Sequence, residues 1–332
     1  MLIENYERYL RSNFKLEVFE QVGNRVKEGE LISLKDGAKH SITEFIPRFV
    51  PVDNYCNNFG LQWNHFRKSQ LDSQNLHMHS FTRFWTSCGL KPKDLNGKKV
   101  LEAGSGAGRF TEILLDAGAK VVSFDFSNAV EANYKNNDDP DLFLFQGDIY
   151  NIPLEKHSFD FVICYGVLQH TPRPYEAFVN LLEYLKPGGI FSIDHYRTFL
   201  WPNAWFHPKY IWRPITSRMD PEKLLKIVQF YIPIWLPFDT VIKKIPKLGM
   251  FLSGLIPIPC WNYLNLGLSY RQRLEWAVMD TFDALGAVYD KPLALKHIQK
   301  WCSLPELTDV AVSYGGNGIV ANGTKKRPKI ER

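Results

Sequence analysis

An α/β fold built on a mostly parallel sheet is what the sequence predicts, and three observations predict it. Over residues 96–196, short apolar runs alternate with segments of helical periodicity. A glycine-spaced loop, Val100–Phe110 (VLEAGSGAGRF), continues directly from the first of those runs. Further on, Lys186-Pro187-Gly188-Gly189 stops a helix-like stretch before an apolar one begins.

The elements follow in order. Lys99–Ala103 is a short apolar run ending in glycines, the pattern of a buried parallel strand. Phe110, Ile113, Leu114 and Ala117 recur at helical spacing. Lys120–Phe126, Leu142–Gln146 and Phe159–Tyr165 read as the next strands, Tyr175–Leu185 as a helix, and Ile190–His195 as a fifth strand. Repeated β-then-α units put helices on both faces of a parallel sheet. Around this block lie a strand-rich head (1–50), a linker with cap helices (51–95), a Pro/Trp-rich insert (197–275) and a closing segment (276–332) with a helix, two strands and a basic tail.

Bulk properties narrow the class. The 332 residues are 45% hydrophobic and 23% charged, ordinary for a globular protein, and the net charge of +5 does not by itself imply nucleic acid. Cys56, Cys88, Cys164, Cys260 and Cys302 include no CxxC pair, which argues against a zinc ribbon and for a reducing compartment. The N-terminal residues carry charges where a signal peptide needs an apolar core, and the most apolar stretch, Ile227–Ile242, is cut by Pro233, Pro237 and Asp239. A cytoplasmic protein is expected.

Ligands of such sheets bind beyond the carboxyl ends of the strands. Gly104, Gly106 and Gly108 fall there, where glycine permits positive φ and close approach of a ligand to the backbone. The spacing is GxGxG, whereas the dinucleotide fingerprint that seats a pyrophosphate is GxGxxG. Asp125, 21 residues after Gly104, ends the second strand and can accept both hydroxyls of a ribose. Asp148 ends the third and can accept an adenine amino group; Glu102 ends the first and can order an ammonium end.

Taken in order, VLEAGSGAGRF, VVSFDFS, QGDIYNIPL and SFDFVICYGVLQHTPRP with LKPGG resemble the class I methyltransferases that use S-adenosylmethionine (SAM). The likeness covers 96–196 and, more loosely, 307–322. It implies a Rossmann-like sheet with an antiparallel last strand, an insert lid between the fifth strand and the last helix, and SAM as cofactor. It also implies SAM contacts from Gly104, Gly106, Asp125 and Asp148, and from backbone near Phe126, Ile149 and Tyr165.

Residues 26–70 resemble a narrower bacterial set of methyltransferases with a zinc-ribbon-like head, through Tyr55, Phe59, Gly60, Gln62, Trp63, Gln70, Leu71 and Asp72. The head departs from that set: Ser33, Asp36 and Gly37 stand where the cysteines would, so no metal is expected. Phe45, Ile46, Phe49 and Val50 are expected to hold it. Trp63 either packs the linker helix on the sheet or belongs to a cover over the SAM cleft in which Gln62 bonds the methionine end. His77 and His79, at i, i+2 with no third ligand in sight, read as loop residues.

The insert holds Trp201, Trp205, Trp212, Trp235 and Trp261, and eleven Lys/Arg against four Asp/Glu. Its position suits a lid over the acceptor pocket; its interleaved basic and aromatic residues also suit contact with a membrane surface. Methyl transfer to a hydroxyl benefits from a general base. His170, after the fourth strand, and His195, ending the fifth, are the candidates. Tyr196, Arg197, Asp280 (with Asp283) and Tyr289 are candidate substrate residues. The expected function is SAM-dependent O-methylation of a small molecule, a sugar or specialised metabolite. The alternatives are an RNA methyltransferase, for which no RNA-binding module is recognisable, and a non-catalytic SAM-binding scaffold.

Overall fold

A computed structural model describes the chain except residues 52–53, 76, 199–207 and 329–332. Trp201, Trp205 and the last four residues of the basic tail therefore lie outside the described residues.

The head is a helix, α1 (Ile3–Tyr9), and an antiparallel meander of β1 (Phe14–Val22), β2 (Arg25–Ser33), β3 (Lys39–Thr43) and β4 (Ile46–Pro47). Its core is Leu10, Phe14, Val26, Leu31 and Ile42, and this cluster is continuous with the core of the large sheet. Of the four residues expected to hold it, Ile46 is buried and Phe49 packs against Phe14, His40 and Phe145; Phe45 and Val50 are half-buried. Tyr9 stacks on Phe143 at 5.4 Å, and Arg48 reaches Gln146 at 3.0 Å and Glu131 at 3.1 Å. The head is thus fixed to one edge of the sheet.

The linker forms α2 (Asn57–His65), α3 (His79–Cys88) and α4 (Pro92–Leu95). The αβ core then runs β5 (Lys99–Ala103), α5 (Arg109–Asp116), β6 (Lys120–Asp125), α6 (Val130–Asn136), β7 (Leu142–Gln146), β8 (Phe159–Cys164), α7 (Pro174–Glu183) and β9 (Leu185–His195). After the insert come two helices, then β10 (Leu307–Gly315) and β11 (Gly318–Lys325). The sheet order is β10-β11-β9-β8-β5-β6-β7. β9, β8, β5, β6 and β7 are mutually parallel, and β11 is antiparallel to both its neighbours. Every residue of β7 is buried, which is why these strands read as continuous apolar runs. β9 starts five residues before the expected Ile190. Phe159 pairs with Leu185 and Phe161 with Ile190, so the Lys-Pro-Gly-Gly sequence is carried within the strand as an irregularity.

The insert is helical: α8 (Pro208–Thr216), α9 (Pro221–Lys243) and α10 (Gly249–Leu255), followed by α11 (Tyr270–Gly286) and α12 (Leu295–Trp301). α11 begins inside the expected insert, because Ser269 and Gln272 form a reciprocal capping box. α9 continues through Pro233 and Pro237, which the sequence reading took as interruptions. Each interior proline costs about 3 kcal/mol. Against this, Leu224, Val228, Ile232 and Leu236 bury one face beside Trp276, Met279 and Phe282 of α11. Four such side chains contribute roughly 6–12 kcal/mol, enough to carry the helix through both prolines.

Candidate functional site

A cavity of about 1030 Å³ opens at the carboxyl ends of β5, β6, β8 and β9, roofed by α2 and the insert. Its two halves differ in chemistry.

The first half is built on the glycine loop. Gly104 and Gly106 have φ of +77° and +53°, conformations that side chains rarely adopt. A Cβ on Gly104 would collide with Val167, and one on Gly106 would lie 3.1 Å from the Trp63 indole. The loop is a cradle that a side chain would fill, and Trp63 covers it. Asp125 lines the cavity with its carboxylate held from behind: it accepts from Gly106 N at 3.0 Å, Ser127 N at 2.8 Å and Ser127 Oγ at 2.7 Å. Burial still pushes its pKa up. Asp148 accepts from Tyr150 N at 2.9 Å beside Ile149. Tyr55 stacks on Phe126 with ring centroids 4.9 Å apart, adding a flat aromatic wall. A bare glycine cradle, a ribose-height carboxylate and an apolar aromatic slot fit SAM, which carries a nucleoside but no phosphate. Gly104, Gly106, Asp125, Phe126, Asp148 and Ile149 would hold it. Tyr165 lines the same half, its hydroxyl bonded to Ser192.

The second half is lined by charged and phenolic groups. Asp280 accepts from the Tyr263 hydroxyl, and Asp283 accepts from Tyr196 at 3.5 Å while its Oδ1 has no partner. Burial, with the Asp283 charge adding, raises Asp280 to about 7, and burial, with the Asp290 charge adding, raises Asp283 to about 6. His170 donates through Nδ1 to the Tyr289 carbonyl at 2.9 Å, which leaves a buried Nε2 without a partner; burial lowers its pKa to about 4. Tyr196 packs edge-on against His170. Arg197 also lines the cavity, over the Tyr314 ring.

Four sequence-predicted residues do not join this lining. His195 alternates with Asp194 along β9 and faces the other side of the sheet, edge-on to Trp301 at 5.5 Å. Glu102 sits beneath the loop, accepting from Thr111 and from Ser123 at 2.7 Å, with its pKa raised to about 7 by burial. Gln62 is buried on the inner side of α2, one position from Trp63. Tyr289 offers only its carbonyl to His170 and turns its ring to Tyr55.

Apart from Arg197, the cations of the cavity were not picked out by the sequence. Arg83 of α3 pairs with Asp194 and lies over the Phe110 ring. Arg109, inside the quoted glycine motif, donates to Gln70; burial lowers it to about 10, so it remains charged at neutral pH. Lys209 and Arg213 of α8 converge on buried Asp290, at 2.8 and 3.8 Å. Gln70 and Asp72 of the FGLQW-to-QLD segment now have roles. Gln70 anchors Arg109, and Asp72 caps α3 by accepting from Ser80 N at 3.2 Å and Phe81 N at 2.7 Å.

Residues 101–193 match the family model described as a methyltransferase domain. A demethylmenaquinone methyltransferase of Paenarthrobacter aurescens is 33% identical over 141 residues, 41% of this chain and 54% of that one. A ubiquinone biosynthesis O-methyltransferase of Coxiella burnetii is 32% identical over 98 residues, 29% of this chain and 42% of that one. The chain thus spans about half the length of these curated relatives. The structure of human N-acetylserotonin methyltransferase in complex with SAM shares 12% identity at a TM-score of 0.44, over 83% of this chain and 60% of that one.

Proposed function

We propose that this chain, which carries a class I SAM-dependent methyltransferase domain, methylates a hydroxyl group of a small molecule. The observation that carries this reading is one cavity with the glycine cradle and Asp125 in one half and two acid–phenol pairs, Asp280–Tyr263 and Asp283–Tyr196, in the other. SAM, when bound, supplies an electrophilic methyl group. The chain supplies position and a proton acceptor. Arg83 and Arg109 hold the boundary between the halves in shape through Asp194 and Gln70. The aromatic and carboxylate lining suits a hydroxylated acceptor such as a sugar or a specialised metabolite, and the small-molecule names of the two relatives agree with that class.

The base follows from the pKa directions. A general base works best when its pKa lies near the working pH. Asp280, raised to about 7, is the stronger acceptor, and the Tyr263 hydroxyl orients it. His170, the histidine of the expected pair that faces the cavity, is neutral at pH 7 but weakly basic at about 4. It is assigned to orient the acceptor hydroxyl through its unpartnered Nε2.

The test combines SAM calorimetry with methyl transfer to a panel of hydroxylated glycosides and phenols. For wild type, kcat/KM should rise with pH through an apparent pKa near 7. Asp280→Asn should lose that limb and lower kcat by about 10²–10⁴, the usual worth of a general base. His170→Gln should raise KM and keep the limb. A full pH limb in Asp280→Asn would overturn the base assignment, and absence of SAM binding would overturn the function.

A further inference from the structure

Among the described residues, nothing covers the outer face of the insert. Along α9, Ile227, Phe230, Ile234, Phe238 and Val241 follow one another at helical spacing on the side opposite the buried Leu224–Leu236 stripe, and all are exposed. Phe230 is 73% and Val241 68% exposed. α10 adds Met250, also 73% exposed, with Phe251 and Leu255; α8 adds Ile211, Trp212 and Ile215. Hydrogen bonds tie these pieces together: Trp212 Nε1 to the Pro257 carbonyl at 2.7 Å, Tyr231 to the Pro259 carbonyl at 2.9 Å, and Ser253 to Asp239 at 2.6 Å. Folded proteins rarely leave large side chains of this kind clustered in water without a use.

The charges around the patch select its occupant. Lys223 and Lys226 are exposed at one end of α9, and Lys244 and Lys247 just beyond the other. Between residues 223 and 260 the sequence has one carboxylate, Asp239, which is buried and engaged by Lys243, Ser253 and Asn262. With exposed Asp220 and Glu222 at the start of α9 set against four exposed lysines, the rim remains net positive, and an apolar strip with such a rim is complementary to a surface that is apolar inside and anionic outside. A second copy would bring two lysine-flanked faces together and add like-charge repulsion.

We infer that the outer face of α8, α9 and α10 docks in the plane of an anionic lipid bilayer. α9 is long and apolar enough to cross a membrane by length and composition alone. Its inner stripe is committed to α11, so it lies along the surface rather than through it. The inner side of α8, with Lys209 and Arg213, lines the cavity, so docking brings the cavity wall to the lipid. Access to a lipid-borne acceptor would follow, and that consequence alone rests on the proposed function.

The experiment is sedimentation of the full chain with phosphatidylcholine vesicles, with and without phosphatidylglycerol, at low and high salt. Pelleting is expected with the anionic vesicles and should weaken as salt rises. The combined Phe230→Ser, Phe238→Ser, Met250→Ser variant should stay in the supernatant. The combined Lys226→Gln, Lys244→Gln, Lys247→Gln variant should lose about fivefold in affinity per lysine at low salt. Both variants should keep the wild-type far-ultraviolet dichroism and thermal midpoint. A folded wild-type protein that ignores anionic vesicles would overturn the inference. So would a stable dimer that Phe230→Ser dissociates. Neither result depends on SAM, so failure of docking and failure of methyl transfer are separable.

Discussion

Asp125→Asn isolates what the acid at the end of β6 does. The carboxylate uses both oxygens: Oδ2 accepts from Gly106 N at 3.0 Å, and Oδ1 from Ser127 N at 2.8 Å and Ser127 Oγ at 2.7 Å. An asparagine has one acceptor oxygen. In either rotamer its amide then faces a backbone N–H, at Gly106 or at Ser127. Losing one bond to a charged group costs about 1.5–3 kcal/mol. Burial opposes that loss, because it has already pushed Asp125 up from the usual carboxylate range and the amide carries no charge to desolvate. The effect on the folded protein alone is therefore small. The effect on SAM is not offset, since the ribose loses a charged acceptor and Gly106 loses its anchor. Titration calorimetry should show SAM affinity lower by about 10–100-fold with a thermal midpoint close to wild type. Unchanged affinity would refute the ribose assignment. A collapse of stability with no change in affinity per folded molecule would show that Asp125 only supports the loop.

Two further outcomes follow from the groups the cavity does not use. His195→Phe removes a buried Nε2 without a partner among the described residues together with the Nδ1 bond to the Tyr196 carbonyl at 3.0 Å, a carbonyl that still accepts from Leu293 N at 2.9 Å, and it keeps the packing on Trp301, so turnover should be unchanged and the thermal midpoint close to wild type; a large loss of kcat would return His195 to the chemistry. Glu102 is raised from 4.5 to about 7, so the stability it contributes is full below its unfolded pKa and is lost as pH rises through 7. On the order of 3 kcal/mol is at stake between pH 4 and 8. The wild-type midpoint should therefore fall over that range relative to Glu102→Gln, in which the group no longer titrates, and parallel pH curves for the two would refute the shift.

The half of the cavity that binds through backbone was legible in the sequence because its signals are local. Gly104, Gly106, Asp125 and Asp148 each stand at or just beyond the end of a strand of five or six residues that can be read from its three or four apolar residues. The other half was only partly legible because its contacts join distant segments. Arg83 meets Asp194 across 111 residues, and His170 meets the Tyr289 carbonyl across 119. Nothing in HMHSFTRFW marks Arg83 as facing the sheet, because that depends on which side of α3 packs down. His195 was misplaced for a related reason. Alternation along a strand sends adjacent residues to opposite faces, and a one-residue choice between Asp194 and His195 decides which one lies on the cavity side. In α9, burial outweighed the two prolines, a tertiary effect that local propensity does not carry.

The pairing pattern in the second half limits what the acceptor can be. Three of the cations there are answered by carboxylates: Arg83 by Asp194, and Lys209 and Arg213 by Asp290, with Arg213 also donating to the Ala284 and Ala287 carbonyls at 2.8 and 2.7 Å; Arg109 meets the neutral Gln70, and Arg197 lies over the Tyr314 ring. An anionic group placed at Lys209 and Arg213 would have to displace Asp290 and leave it buried beside the new anion, an exchange with no net gain. Beside the unpartnered Arg83 Nε, the cavity carries unanswered groups of the opposite kind. Among the described residues, Asp283 Oδ1 and His170 Nε2 are buried acceptors without a donor, and Asp280 accepts from a phenol. A molecule bringing two or three hydroxyls supplies donors to all three, and each bond made to a buried unpartnered acceptor removes a desolvation cost of about 1–3 kcal/mol. Under the proposed function, these acceptors should make the site discriminate against a deoxy analogue of its acceptor more strongly than against one differing by a methyl group.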